Sequence, residues 1–193
     1  MNSILAKLSP TITNMIRLDH THVVATFHQY EADTPAGTKR AIVDSICVAL
    51  EIHAQLEEEI FYPAMRAVPE GAAVLDKSVP EHDEMRRLIS KLRGMEADAA
   101  GFDDTVMELM RGVIHHVADE ETVLLPAAEK LLAGQISELG ARMTKRRFEL
   151  VLPRTGEIAG NMIRATPVKN ALMLVGLLAA GGYAMARSRG DRS

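Results

Sequence analysis

A chain of 193 residues, 47 % hydrophobic and 25 % charged, is long enough and apolar enough for one packed domain plus an appendage. A net charge of -4 gives no reason to expect a nucleic-acid partner, and the single cysteine, Cys47, excludes an intrachain disulfide. Aromatic content is 4 %, and there are neither alternating Val/Ile/Thr runs nor an Asn-Gly hairpin, so the predicted fold class is all-α.

The first helix is expected to open at Ser9-Pro10, with Ser9 as its cap and Pro10 in its first position. Its apolar stripe is Ile12, Ile16, Val23, Phe27 and Tyr30, and His20 sits inside that stripe. The breaker Asp33-Thr34-Pro35-Ala36-Gly37 leads into a second helix over about 38–66. Its stripe, Val43, Cys47, Leu50, Ala54, Glu57, Phe61 and Ala64, alternates steps of four and three, as a bundle seam requires. A glutamate stands in the middle of it, and His53 lies on the edge made with Ile46 and Ile60. Tyr62 falls off the stripe.

Val68-Pro69-Glu70-Gly71 ends that helix. A third helix is predicted over about 72–95, with stripe Leu75, His82, Met85, Ile89 and Leu92; Pro80 either kinks it or marks its start. Asp103 or Asp104 is the expected cap of a fourth helix. Its stripe is Val106, Met110, Val113, Val117, Glu120, Leu124, Ala127 and Leu131. Connections this short imply antiparallel neighbours, hence an up-down-up-down four-helix bundle over residues 1–133.

After Gly134 the pattern changes. Residues 134–167 read as a helical extension, with the basic cluster Lys145-Arg146-Arg147, followed by a linker from Pro153 to Pro167 that contains Gly156 and Gly160. Ala171 to Ala186 carries no charge. Taken as 168–187, with Lys169 and Arg187 reaching outwards, the stretch is about 30 Å long as a helix and predicts a transmembrane anchor, leaving 188–193 as a short basic tail. Gly176, Ala180 and Ala184 form a small-xxx-small face that could pair two tails into a homodimer. No secretory signal opens the chain, which favours a single C-terminal membrane span with the bundle on the cytoplasmic side.

The chemistry lies in a repeat. His53-Ala-Gln-Leu-Glu57-Glu58 returns as His116-Val-Ala-Asp-Glu120-Glu121, every matched residue offset by 63 positions, and Pro63-Ala64 returns as Pro126-Ala127. Asp19-His20 returns as Glu81-His82 at an offset of 62. On a helix, residues four apart share a face, so His53 with Glu57, and His116 with Glu120, each present imidazole and carboxylate to one point. His20 and His82 face inward from the other two helices. Six such groups in a bundle interior are costly unless a cation takes them up. Imidazole with carboxylate suits iron, zinc or manganese, and six ligands are too many for one tetrahedral zinc. They suit two metals bridged by Glu57 and Glu120, with two histidines on each.

Other candidates carry less. His115-x-x-x-Asp119 is a competing register, but the repeat selects His116 because the counterpart of His115 is Ile52. Glu58 and Glu121 lie about 100° round the helix from the ligands, facing either the ligands' outer sides or solvent. His22 and His28 point elsewhere on the first helix, and Cys47 reads as packing.

Asp19-His20, His53-x-x-x-Glu57-Glu58, Glu81-His82 and His116-x-x-x-Glu120-Glu121, with prolines ten residues after the second and fourth of these histidines, resemble the hemerythrin-like family, the HHE cation-binding domain. The resemblance covers about residues 10–133. It implies a bundle holding two iron ions as a non-heme di-iron centre, with zinc or manganese as alternatives. It also implies a small diatomic molecule or peroxide as partner. The function expected is a membrane-anchored protein that binds, senses or reacts with oxygen, peroxide or nitric oxide, with a di-iron oxidase or peroxide-consuming activity as its enzymatic form. The alternatives are iron storage or homeostasis, and a zinc-stabilised structural bundle. Oxygen-carrying members place a second histidine four residues after the third-helix ligand; here that position is Arg86. The five-histidine set is incomplete, which argues against simple oxygen carriage.

Overall fold

Thr11, not Ser9, opens the first helix. Its hydroxyl accepts the Asn14 amide at 3.3 Å, and α1 runs Ile12–Phe27. The computed structural model describes residues 9–72, 75 and 78–165. Directly after Pro35, α2 runs Ala36–Leu56, passes through a π-turn at Glu57–Phe61 and ends as Tyr62–Arg66. Helix α3 is Ser78–Arg93, with Pro80 in its first turn, where no helical carbonyl waits for the missing N–H. Gly101, at φ +85°, takes the left-handed turn that leads into α4. Helix α4 runs Phe102–Asp119, passes through a second π-turn at Glu120–Leu124 and ends as Leu125–Leu131. Asp103 and Asp104, expected as caps, lie in its first turn, where their charge favours the helix N-terminus.

Both π-turns have the same cause. Pro63 and Pro126 sit inside these helices. A proline has no N–H to donate, and its ring clashes with the carbonyl four residues back. The helix widens just before each one: the Tyr62 amide reaches the Glu57 carbonyl, and the Leu125 amide reaches that of Glu120. One extra residue per turn rotates everything downstream by about 100°. The face buried after the first turn is therefore Phe61, Tyr62 and Met65, not Phe61 and Ala64. After the second it is Leu124, Leu125, Ala128 and Leu132, not Ala127 and Leu131.

Two apolar layers sandwich a polar one. The first layer joins Ile12 and Ile16 of α1, Leu56, Phe61 and Met65 of α2, Leu75, and Leu124, Leu125 and Leu132 of α4. The second joins Val23 and Phe27, Ile42 to Leu50, Met85 to Leu92, and Phe102 to Val113. The start of α1 and the end of α2 share a layer, as do the start of α3 and the end of α4, so the four helices alternate in direction. Each fully buried Leu, Ile or Phe contributes roughly 1.5–3 kcal/mol, and these layers fix the helices on both sides of the middle. His20, His53, His82 and His116 fall between them along every helix.

Two further helices follow. Helix α5, Ile136–Val151, leads through a 3-10 turn, Leu152–Arg154, into α6, Thr155–Ala165. Gly140 lets α5 cross the start of α1, since a Cβ there would stand 2.1 Å from the Pro10 carbonyl oxygen. The linker expected from Pro153 to Pro167 is corrected over α6. Its glycines cost about 1 kcal/mol each in a helix, but α6 packs Ile158 and Ala165 on the two core layers and buries Asn161. The Arg154–Glu51 ion pair, 2.8 Å, ties its entrance to α2.

The expected fold class and localisation are also corrected. The structure is an all-α helical bundle, and among the described residues no helix is long and apolar enough to cross a membrane. The anchor predicted over 168–187, with its pairing face Gly176, Ala180 and Ala184, lies outside the described residues. Absence of charge over sixteen residues is a local signal, and no spanning helix or membrane location follows from it here.

Candidate metal centre

The four histidines and two glutamates predicted from the repeat come together in the polar layer. His20, His53, His82, His116, Glu57 and Glu120 are each at most 5 % exposed. The rings form two pairs, His20 with His53 at 5.0 Å and His82 with His116 at 4.8 Å between centroids. The glutamates lie between the pairs. Glu57 Oε2 is 3.3 Å from His53 Nε2 and 3.3 Å from His82 Nε2. Glu120 Oε2 is 3.4 Å from His20 Nε2, and its Oε1 is 3.7 Å from His116 Nε2. Ligand atoms of His20, His53, Glu57 and Glu120 lie within 4.8 Å of one another, and so do those of Glu57, His82 and His116.

Each imidazole is held from behind by a carboxylate on its Nδ1. Asp19 faces His53 at 3.4 Å, Glu58 faces His82 at 2.9 Å, Glu81 faces His116 at 2.8 Å and Glu121 faces His20 at 3.0 Å. The support runs in a closed ring: α1 to α2, α2 to α3, α3 to α4, and α4 back to α1. Nδ1 donates to the carboxylate, which leaves the Nε2 lone pair aimed inward and makes it a better donor to a metal. An acid directly before His20 or His82, or after Glu57 or Glu120, sits about 100° round its helix and so meets the neighbouring helix. Glu58 and Glu121 therefore face the ligands rather than solvent alone. The roles of Asp19 and Glu81 were not read from the sequence, although the repeated acid-His pair was the signal for them.

Two arginines back the ring. Arg147 of α5 donates to Asp19, from Nη1 at 2.6 Å, and Arg86 donates to Glu58 and, at 2.9 Å, to Asp83. Arg86 thus occupies the fifth-histidine position as an exposed ion-pair partner of Glu58 and Asp83. Burial pushes the Asp19 carboxyl up, but the His53 hydrogen bond and Arg147 outweigh it and hold the group down at about 2. Glu58 is likewise lowered against the effect of its burial by Arg86 and His82.

Tyr62 went unassigned on the α-helical wheel. The π-turn swings it inward, fully buried, where its hydroxyl donates to Glu120 Oε1 at 3.0 Å and Glu57 Oε2 at 3.2 Å. The repeat gave no sign of it, because its counterpart is Leu125. Burial, then the two carboxylate charges, push its hydroxyl pKa far up, so it stays a proton donor.

Without a cation, this layer is electrostatically strained. Burial and the charge of Glu120 push the Glu57 carboxyl well above the usual range. Burial acts on Glu120 in the same direction, but the nearby imidazoles of His20, His116 and His53 outweigh it and hold this carboxyl low. Burial and the neighbouring His116 lower His82 to about 4, and burial lowers His53. Four buried ligand atoms, His20 Nε2, His53 Nε2, Glu57 Oε1 and Glu120 Oε2, have no hydrogen-bond partner among the described residues. Imidazole nitrogens and carboxylate oxygens converging on one buried point are the donor set of a divalent metal. The residues fit such an ion.

The remaining candidates separate cleanly. His115 is 69 % exposed at its side chain while His116 is buried, so His116 is the residue that enters the centre. His115 joins Glu81 and Asp119 in a surface cluster instead. His22 and His28 are exposed. Cys47 is buried in the second apolar layer, and burial pushes its thiol up to about 12.

Fold and site together define a helical bundle with a buried histidine and carboxylate cluster that could hold a metal ion. The chain belongs to the hemerythrin HHE cation-binding domain family, whose sequence model matches residues 11–128. It is 28 % identical over 150 residues to a DNA nickase of Nostoc sp., covering 78 % of this chain and 42 % of that protein. It is 24 % identical over 128 residues to an uncharacterised hemerythrin-like protein of Schizosaccharomyces pombe, covering 65 % of this chain and 63 % of that one. It therefore spans less than two thirds of either relative. The fold also resembles the crystal structure of a hemerythrin HHE cation-binding domain-containing protein from Mycobacterium kansasii. The TM-score is 0.63 at 19 % identity, over 81 % of this chain and 99 % of that one.

Proposed function

We propose that the protein is a non-heme di-iron protein that reacts with oxygen, peroxide or nitric oxide rather than carrying oxygen reversibly. The observation that carries this reading is the pair of two-histidine clusters joined by Glu57 and Glu120, with four ligand atoms left unpaired. His20 and His53 would hold one iron, His82 and His116 the other, with Glu57 and Glu120 shared between them. When bound, such a pair supplies electrons and open coordination positions to a small oxidant. The chain's own groups then do three things. The four Nδ1 carboxylates hold the imidazoles in one tautomer. Tyr62 keeps a proton on its hydroxyl beside both shared carboxylates. Arg86, which cannot ligate a metal, is held on Glu58 and Asp83 and leaves no fifth histidine to close a position.

DNA nicking, the activity in the name of the Nostoc relative, is not part of this proposal. The basic run Lys145-Arg146-Arg147 is engaged with acids: Arg146 with Glu59 at 2.6 Å, Arg147 with Asp19, and Lys145 with Glu149 at 3.9 Å.

The test is to reduce the iron-loaded chain anaerobically, admit air or peroxide, and then remove oxygen by vacuum. The optical spectrum is expected to change and to return only when reductant is added. A spectrum that returns to the reduced form under vacuum over repeated cycles would restore oxygen carriage as the function.

A further inference from the structure

A cavity of about 580 Å³ lies between α1, α2 and the pair α5 and α6, in the size range of small-molecule sites. Its walls include Val23, Ile42, Val48, Ile52, Val151 and Ile158. Its polar groups include Asp19, Arg147 and Asn161. Asn161, on α6, is 1 % exposed, and its Oδ1 accepts from Arg164 Nη2 at 2.6 Å. A guanidinium only donates, so this bond fixes which end of the amide faces Arg164. Arg164 does not line the cavity, and Asn161 Nδ2, at the other end of the amide, is buried and has no acceptor among the described residues. Arg147 Nε is in the same position, because both Nη atoms of that guanidinium go to Asp19. Two buried donors without acceptors beside one apolar cavity are unfavourable unless a ligand supplies the acceptor.

We propose that this cavity binds a neutral, mostly apolar molecule of the quinone class, whose carbonyl oxygen accepts from Asn161 Nδ2 and Arg147 Nε. The neutral class follows from the local charge. Asp19 already matches the Arg147 guanidinium, so a ligand carboxylate would bring an unmatched negative charge next to Asp19. The cavity borders the candidate metal centre at Asp19, which backs His53. The proposal does not depend on which metal is bound, or on what that metal does.

Equilibrium dialysis of the full chain against three probes of one ring size tests it: 2,3-dimethyl-1,4-naphthoquinone, 2,3-dimethylnaphthalene and 2-naphthoate. The quinone is expected to bind saturably at one site per chain, more tightly than either of the others. N161D keeps the acceptor for Arg164 but removes the Nδ2 donor, and is expected to weaken quinone binding by about fivefold or more. A49F, which fills the cavity, is expected to abolish it. Circular dichroism checks that both variants remain helical, and if A49F unfolds, N161D alone decides. Absence of saturable quinone binding, tighter binding of the naphthoate, or wild-type affinity in folded N161D would each overturn the proposal.

Discussion

Replacing Tyr62 by Phe removes one oxygen from a fully buried ring and leaves the packing of that ring intact. The oxygen lost is the donor to Glu120 Oε1 at 3.0 Å and Glu57 Oε2 at 3.2 Å, and it also lies 3.2 Å from His82 Nε2. A hydrogen bond to a charged group contributes about 1.5–3 kcal/mol. A phenol hydroxyl has one proton to donate, so one such bond counts at a time. The metal-free Y62F variant should therefore be about 2 kcal/mol less stable than the wild type. For a chain of this size, about 2 kcal/mol lowers Tm by roughly 4–8 °C. The assay is thermal unfolding followed by circular dichroism at 222 nm, on metal-free and on metal-loaded protein. A bound cation takes the carboxylate lone pairs that Tyr62 satisfies in its absence, so the loss should shrink on loading. By linkage, Y62F should then bind metal at least as tightly as the wild type. An equal loss of Tm with and without metal, or a failure of Y62F to load, would refute this reasoning.

Three further outcomes are expected. His116→Ala should lose bound metal and His115→Ala should retain it, read as metal per chain after desalting; the reverse result would show that His115 is the ligand. Asp19→Asn or Glu81→Gln should weaken metal affinity by about 10–100-fold in a chelator competition, because His53 or His116 loses the carboxylate that orients it. Unchanged affinity in both variants would show that the ring of carboxylates does not serve the ligands. In the metal-free protein, His82 ionises at about 4 rather than 6.5, because of its burial and then of His116. A depressed histidine contributes stability above its unfolded pKa and loses it as pH falls, so about 3 kcal/mol should disappear between pH 6.5 and 4. His82→Gln should flatten that part of the pH profile, and parallel profiles for the two proteins would contradict the assignment.

The four helices of the bundle were legible because each carries a helical-period stripe, apolar but for the inward histidines and glutamates, and because the second and fourth repeat each other. The six inward groups were legible for the same reason: single histidines or glutamates would have been ambiguous, whereas the 63-residue offset placed them as a set. Residues downstream of Glu57 and Glu120 were misplaced because a wheel of 3.6 residues per turn does not foresee a π-turn. Pro63 and Pro126 inside an otherwise continuous helix were the available warning. Tyr62 was lost through that shift. The role of Arg147 had no signal beyond its basic cluster, since it comes from α5, outside the repeat, and reaches Asp19 through tertiary packing. Helix α6 was read as a linker because its glycines and Pro153 dominate local propensity, while its contacts with the core are long-range. Thr11 displaced Ser9 as cap by two residues, a difference that local sequence does not resolve.

The central claim is that Glu57 and Glu120 join two metal positions in one bundle. The most direct measurement is the iron-to-chain ratio of the full chain, loaded anaerobically with ferrous iron and freed of loosely bound metal. Two irons per chain are expected in the wild type, and loss of bound iron in Glu57→Ala and in Glu120→Ala. One iron or none in the wild type, or two irons retained in both variants, would contradict it.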